Sequence, residues 1–162
     1  MIKINPPKQG IKQIMSKTCL MAHIVFATKN RRSAIPLVNR EELCDYIGGI
    51  LKNLKCFGLS INGMTDHLHL LVKYRASLAI ADLVREIKTS TTHWMKKTGR
   101  FEDFYGWQEG YFAGSVGPDG VERCKRYIEN QEHHHNGNAF MAEIEWMIQK
   151  YGLDWYESEW NE

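Results

Sequence analysis

Between Thr18 and Thr28, Leu20, Ala22, Ile24 and Phe26 share one parity in a run rich in β-formers. Side chains two apart lie on the same face of an extended chain, so this run predicts a strand with one face turned to a core. From Asn39 the period changes. Leu43, Tyr46, Ile47, Ile50, Leu51 and Leu54 recur at helical spacing, which outweighs Gly48 and Gly49 although each costs a helix interior about 1 kcal/mol. Two short β-rich runs follow, Leu59 to Met64 and His67 to Tyr74, and the polar turn Thr65-Asp66 between them predicts an antiparallel hairpin. Ser77 reads as the N-cap of a second helix through Leu78, Leu83, Ile87 and Trp94 that stops near Gly99. Gly110 to Val116 is a further strand. Gly117-Pro118-Asp119-Gly120 is a turn signal, and Asp119 with Glu122 resembles a capping box opening a third helix, which Asn136-Gly137 ends. A last amphipathic helix, Ala139 to Tyr151, carries Phe140, Ile144, Met147 and Ile148, followed by a tail with Trp155, Tyr156 and Trp160.

The order strand, helix, strand, strand, helix, strand, helix, helix predicts an α+β fold. It is the ferredoxin-like split β-α-β arrangement: a mainly antiparallel sheet, helices on its faces and an added C-terminal helical tail. A chain of 162 residues, 43% hydrophobic, suits one core. Residues 1–17, with two prolines, read as an N-terminal arm and residues 18–162 as a single domain.

A net charge of +2 neither requires nor excludes a polyanionic partner, so local clustering carries the signal. Lys29, Arg31 and Arg32 form one basic group, Lys96, Lys97 and Arg100 another, and Arg123, Lys125 and Arg126 flank Tyr127. Any one group alone is also what a solvated face looks like. Cys19, Cys44, Cys56 and Cys124 make no CxxC pair, which points to a reducing cytoplasm and away from zinc or a disulfide framework. With no apolar run near the ~18 to 20 residues that span a bilayer, a soluble protein without a membrane partner is expected.

Two stretches bear chemistry. In a strand, His67 and His69 point to one face around Leu68, offering two imidazoles to a divalent ion with coordination positions left open. In a helix, Tyr127 and Gln131 project side by side, a phenol next to an amide oxygen. A phenol with a solution pKa near ~10 is a weak nucleophile at neutral pH, so it needs an electrophile activated by a cation, and a phosphodiester fits. His133-His134-His135 compete as a site but suit a helix terminus, where the dipole favours them. No GxxxxGK[ST] loop is present, so no nucleotide cofactor is expected.

These residues resemble the single-tyrosine HUH transposases of the insertion sequence 200/605 type. The resemblance runs from about Thr18 to Tyr151. It rests on His23-Ile24-Val25-Phe26-Ala27-Thr28-Lys29 with Arg31-Arg32, on Thr65-Asp66-His67-Leu68-His69-Leu70-Leu71-Val72, on Trp107-Gln108-Glu109-Gly110-Tyr111, and on Tyr127-Ile128-Glu129-Asn130-Gln131 with His133-His134. It implies that His67, His69 and Gln131 hold Mg²⁺ or Mn²⁺ and that Tyr127 is the nucleophile. It further implies single-stranded DNA hairpins as substrate, a 5′-phosphotyrosine intermediate, and a homodimer in which the tyrosine helix of one subunit can complete the site of the other. The Gly117 to Gly120 turn would be the hinge of that exchange. Lys29, Arg31, Arg32, Arg123, Lys125 and Arg126 are the candidate DNA contacts. A host-adopted hairpin nickase with the same residues, or a non-catalytic hairpin-binding regulator, are the alternatives. The chain departs from the pattern at Gly114, where relatives commonly carry an aromatic residue, and at Gly117, where a more polar residue is expected.

Overall fold

The computed structural model describes residues 17–131 and 139–160. Strands β1 (Leu20–Ala27), β2 (Phe57–Gly63), β3 (His67–Tyr74) and β4 (Phe112–Ser115) form one sheet in the order β2-β3-β1-β4. Every pairing is antiparallel. Helix α1 (Leu37–Asn53) connects β1 to β2, and α2 (Ile80–Thr98) connects β3 to β4. Helices α3 (Val121–Glu129) and α4 (Ala139–Lys150) come after β4. This is the α+β, ferredoxin-like arrangement expected from the element order.

Strand periodicity gives the sheet two unlike faces. Ala22, Ile24 and Phe26 of β1 and Leu68, Leu70 and Val72 of β3 join α1 and α2 in the larger core. The opposite parity carries His23, Val25 and Ala27 beside Leu71, His69 and His67, paired in that order. Val25 and Ala27 pack with Phe112, with Phe140, Ile144 and Met147 of α4, and with Trp160. Removing these apolar side chains from water stabilises the fold by about 1.5–3 kcal/mol for each fully buried large one. Because α4 covers this face, both β3 imidazoles are buried, His67 to 1% exposure and His69 to 0%.

Two helix starts differ from the sequence reading. Ser77 is not an N-cap: its hydroxyl accepts from the Arg75 guanidinium at 2.6 Å within a turn closed by Leu78 N–H to the Arg75 carbonyl, and α2 begins after Ala79 without a side-chain cap. Gly99 does end α2, in the left-handed conformation at φ 67° that glycine adopts without a Cβ penalty. The capping box of Asp119 and Glu122 is also absent. Pro118–Gly120 forms a 3-10 turn that runs directly into α3, so its backbone carbonyls take the first amides, while Glu122 pairs with Lys125 at 3.3 Å. The expected stop at Asn136-Gly137, the histidines 133 to 135 and nearly all of the arm lie outside the described residues. Among the described residues no helix is long and apolar enough to cross a membrane.

Candidate active site

Adjacent backbone elements hold the β3 histidines in place. The Asp66 carbonyl accepts from the Thr28 backbone N–H at 2.8 Å and from its hydroxyl at 3.1 Å, and the Thr65 carbonyl accepts from the Ala34 and Ile35 amides. His67 Nδ1 lies 2.7 Å from Asp66 Oδ1. His69 Nδ1 lies 3.0 Å from His23 Nε2 on the neighbouring strand. The Asp66 carboxylate can only accept, so it sets the proton of His67 on Nδ1. His23, a neutral ring able to accept, permits the same tautomer at His69, and with both ring protons on Nδ1 the two Nε2 lone pairs are presented together. His23 can accept that proton because burial, helped by the charge of Lys150, pulls its pKa down to about 4 and keeps the ring neutral.

A carboxylate completes the group. One nitrogen from each of His67 and His69 and one Glu143 oxygen all lie within 4.8 Å of one another. Ligand atoms around a six-coordinate ion with bonds of about 2.1 Å stand roughly 3 to 4.2 Å apart, so only a small contraction is needed. Two imidazoles and a carboxylate are a donor set suited to a divalent ion with open positions. Burial, with the charge of Asp66 added, pushes the Glu143 carboxyl up to about 8, and a cation is what would draw off its proton. Gln131, fully buried, places Nε2 3.3 Å from Glu143 Oε1. Turning its amide exchanges the nitrogen and oxygen ends, so Gln131 can support Glu143 or present oxygen to the same ion.

Tyr127 reaches this group within one chain. Its ring lies edge-on to His69 and to His23, with centroids 5.8 and 5.9 Å away, and its hydroxyl oxygen is buried. The C-terminal end of α3 is tied to β2 by Asn62, whose side-chain amide donates to the Ile128 carbonyl at 3.0 Å. Ile128 is buried, leaving Tyr127 at the border of the apolar stripe, and Gln131 follows it one turn on. His67, His69, Tyr127 and Gln131 therefore converge.

The basic candidates divide. Arg31 is engaged in the frame of the site: its guanidinium lies 3.4 Å from Asp66 Oδ2 and 4.7 Å from the centre of the Phe140 ring. Asn30 and Arg31 hold φ of 56° and 52° to make this turn, a left-handed conformation that asparagine tolerates and that is costly to an arginine. Burial pushes the Asp66 carboxyl up, yet the hydrogen bonds and charges of His67 and Arg31 outweigh it and its pKa falls below the ordinary value. Arg32 lies over Tyr105, Lys125 over Glu122 at the surface, and Lys29, Arg123 and Arg126 are exposed.

Sequence reading did not single out Glu143, His23 or Asp66 as site residues. A signal for Glu143 is present: an acid three residues after Phe140 and next to Ile144, inside the stripe that α4 buries. His23 becomes visible only through strand register, which sets β1 beside His69. The departure at Gly114 also has an explanation. A Cβ there would stand 2.6 Å from Tyr151 Cζ, because the ring of Tyr151, at the end of α4, fills the space and donates to the Ser115 carbonyl at 2.9 Å.

The fold is thus an antiparallel split β-α-β sheet whose histidine pair faces the helix that carries Tyr127. Residues 16–131 match the family described as Transposase IS200 like, and the chain belongs to that family. Among solved structures it is similar to a candidate transposase from Deinococcus radiodurans R1, with 23% identity, TM-score 0.58, and coverage of 72% of this chain and 93% of that one. It is also similar to a REP-associated tyrosine transposase bound to a REP hairpin, with 16% identity, TM-score 0.54, and 74% of each chain covered. No curated protein matches the sequence.

Proposed function

We propose that this IS200-like transposase cuts and rejoins single-stranded DNA through a covalent bond to Tyr127, at a site completed within one chain. The observation that carries the reading is the convergence of Tyr127, His67, His69 and Glu143 under α4. The Tyr127 oxygen attacks the phosphorus, the phosphorus bond to the 3′ oxygen breaks, and the phenolic proton is balanced by the new 3′-hydroxyl. The product is a 5′-phosphotyrosine. A Mg²⁺ or Mn²⁺ ion held by His67, His69 and Glu143, with Gln131 beside them, would polarise a non-bridging phosphate oxygen. Asp66 holds His67 in the tautomer that such an ion needs, and His23 orients the ring of His69 and can accept its Nδ1 proton in the same tautomer. One phosphodiester is exchanged for another, so rejoining with a second 3′-hydroxyl needs no nucleotide cofactor.

Hairpin-bearing DNA is the proposed substrate, a reading supported by the REP hairpin bound to the similar transposase. Lys29, Arg32, Arg123 and Arg126 are exposed and suited to backbone phosphates. The homodimer implied by resemblance is not needed to bring Tyr127 to the histidines, since one chain does so. Incubation with labelled hairpin DNA and Mn²⁺, followed by a denaturing gel, tests the proposal. Wild type should yield a protein–DNA adduct. Tyr127→Phe should bind the DNA without forming one, and His67→Ala should lose metal-dependent cleavage. Full adduct yield from either variant would defeat the role given to that residue.

A further inference from the structure

A cleft of ≈ 470 Å³ opens beside Tyr127, between α3 and α4. That lies within the ~300–1,000 Å³ typical of sites that enclose a small ligand. Tyr127 and Arg123 of α3 form one wall, Trp146 and Lys150 of α4 with Tyr151 the other, and the Gly117–Gly120 turn contributes to the rim. The lining contains no Asp or Glu. Trp146 is 55% exposed, unusual for the largest side chain on a helix whose neighbours Phe140, Ile144 and Met147 are buried. Lys150 Nζ lies 4.9 Å from its ring centre, so ring and cation form one platform. Among the described residues neither Arg123 nor Lys150 is in an ion pair. Cys124 also lines the cleft, but burial pushes its thiol up to about 11, so it supplies no anion at neutral pH.

We infer that this cleft takes an unpaired base of the DNA strand bound at Tyr127, stacked on Trp146, with Lys150 and Arg123 on the adjoining phosphates. The chemistry of the walls selects that occupant. Aromatic surface next to unpaired cations is how proteins hold single strands without reading sequence, because every base has a π face and every nucleotide a phosphate. The charge is complementary to a polyanion and lacks the carboxylates that a basic peptide would need. Position supplies the rest: Tyr127 lines both the cleft and the candidate catalytic group, so a nucleotide whose phosphate reaches the phenol carries its base to this opening. A base paired and stacked in a duplex could not enter. The cleft would thus favour strands unpaired at the cutting point.

The inference rests on the phosphodiester reading above, and the two fail separately. The test compares fluorescein-labelled dT15 with a labelled abasic 15-mer of the same backbone, by anisotropy, using full-length wild type, Trp146→Ala and Trp146→Phe. Stacking on one aromatic side chain corresponds to about 5- to 150-fold in affinity. Wild type should prefer dT15, Trp146→Ala should lose that preference in this range with abasic binding unchanged, and Trp146→Phe should recover most of it. Because Trp146 is exposed, unchanged circular dichroism is expected of both variants. Equal dT15 affinity in wild type and Trp146→Ala, or an equal loss for both oligonucleotides, would overturn the base pocket. If that occurs while wild type still forms the Tyr127 adduct, the strand-cutting reading stands alone. Base-dependent binding through Trp146 without any adduct would keep the pocket and remove the chemistry.

Discussion

Replacing His23 by Phe isolates the hydrogen bond that orients His69. An aromatic ring beside Phe112 and Tyr127, now at centroid distances of 6.2 and 5.9 Å, is retained, the nitrogen partner 3.0 Å from His69 Nδ1 is lost, and the slightly larger phenyl must shift by a few tenths of an ångström to clear His69. His69 is fully buried and His23 is 6% exposed, so water does not readily take the vacated role. Loss of a partner that fixes a ligating imidazole typically weakens metal affinity about 10- to 100-fold, or roughly 1.4–2.7 kcal/mol. The same change leaves a buried nitrogen unsatisfied in metal-free protein, at about 1–3 kcal/mol. Calorimetric titration with Mn²⁺ and urea denaturation in EDTA measure the two effects. Adduct formation should fall with the metal affinity and recover at saturating Mn²⁺. Mn²⁺ affinity within twofold of wild type would refute the reasoning, because His69 would then be held by something other than His23.

Three further outcomes follow from the same geometry. Glu143 holds its proton up to about 8 in the metal-free fold against an ordinary 4.5, so unfolding releases that proton and stability from this source falls as pH rises toward 8. His23 opposes this only between about 4 and 6.5. Metal-free Tm should therefore drop from pH 6.5 to 8, Mn²⁺ should raise Tm more at pH 8 than at pH 6.5, and Glu143→Gln should flatten both trends in a thermal shift assay. Gly114→Ala should cost about 1–3 kcal/mol by urea denaturation, since its Cβ meets Tyr151 and Phe112 at 2.6 and 2.8 Å. Tyr151→Ala should relieve part of that cost, and strict additivity of the two changes would count against the packing described. Mixing Tyr127→Phe with His67→Ala protein should give no adduct on a denaturing gel under the proposal that the site is completed within one chain; an adduct appearing only on mixing would mean that the tyrosine helix crosses between subunits.

Most of the fold was legible because its signals are periodic. The parity of Leu20 to Phe26 and the apolar stripe from Leu43 to Leu51 report directly which faces are buried, and the elements observed differ from the reading mainly at their ends. The helix starts were misread at Ser77 and at Asp119 because capping residues are also turn formers, and a turn satisfied their side chains or displaced the cap. Of the candidate site, His67, His69, Tyr127 and Gln131 each stand in a local motif whose spacing puts two side chains on one face. Glu143 and His23 do not. They reach the histidines through the packing of α4 and the β1–β3 register, which no local spacing encodes. The compensation of Gly114 by Tyr151 spans 36 positions to Ser115 and was hidden for the same reason.

The most direct test is the identity of the residue that carries the DNA. Wild-type protein incubated with Mn²⁺ and hairpin DNA, digested and mapped by mass spectrometry, should carry a 5′-linked nucleotide on Tyr127 alone, and none when His67 or His69 is replaced by Ala. A nucleotide on another residue, or one on Tyr127 that persists without the histidines, would contradict the account.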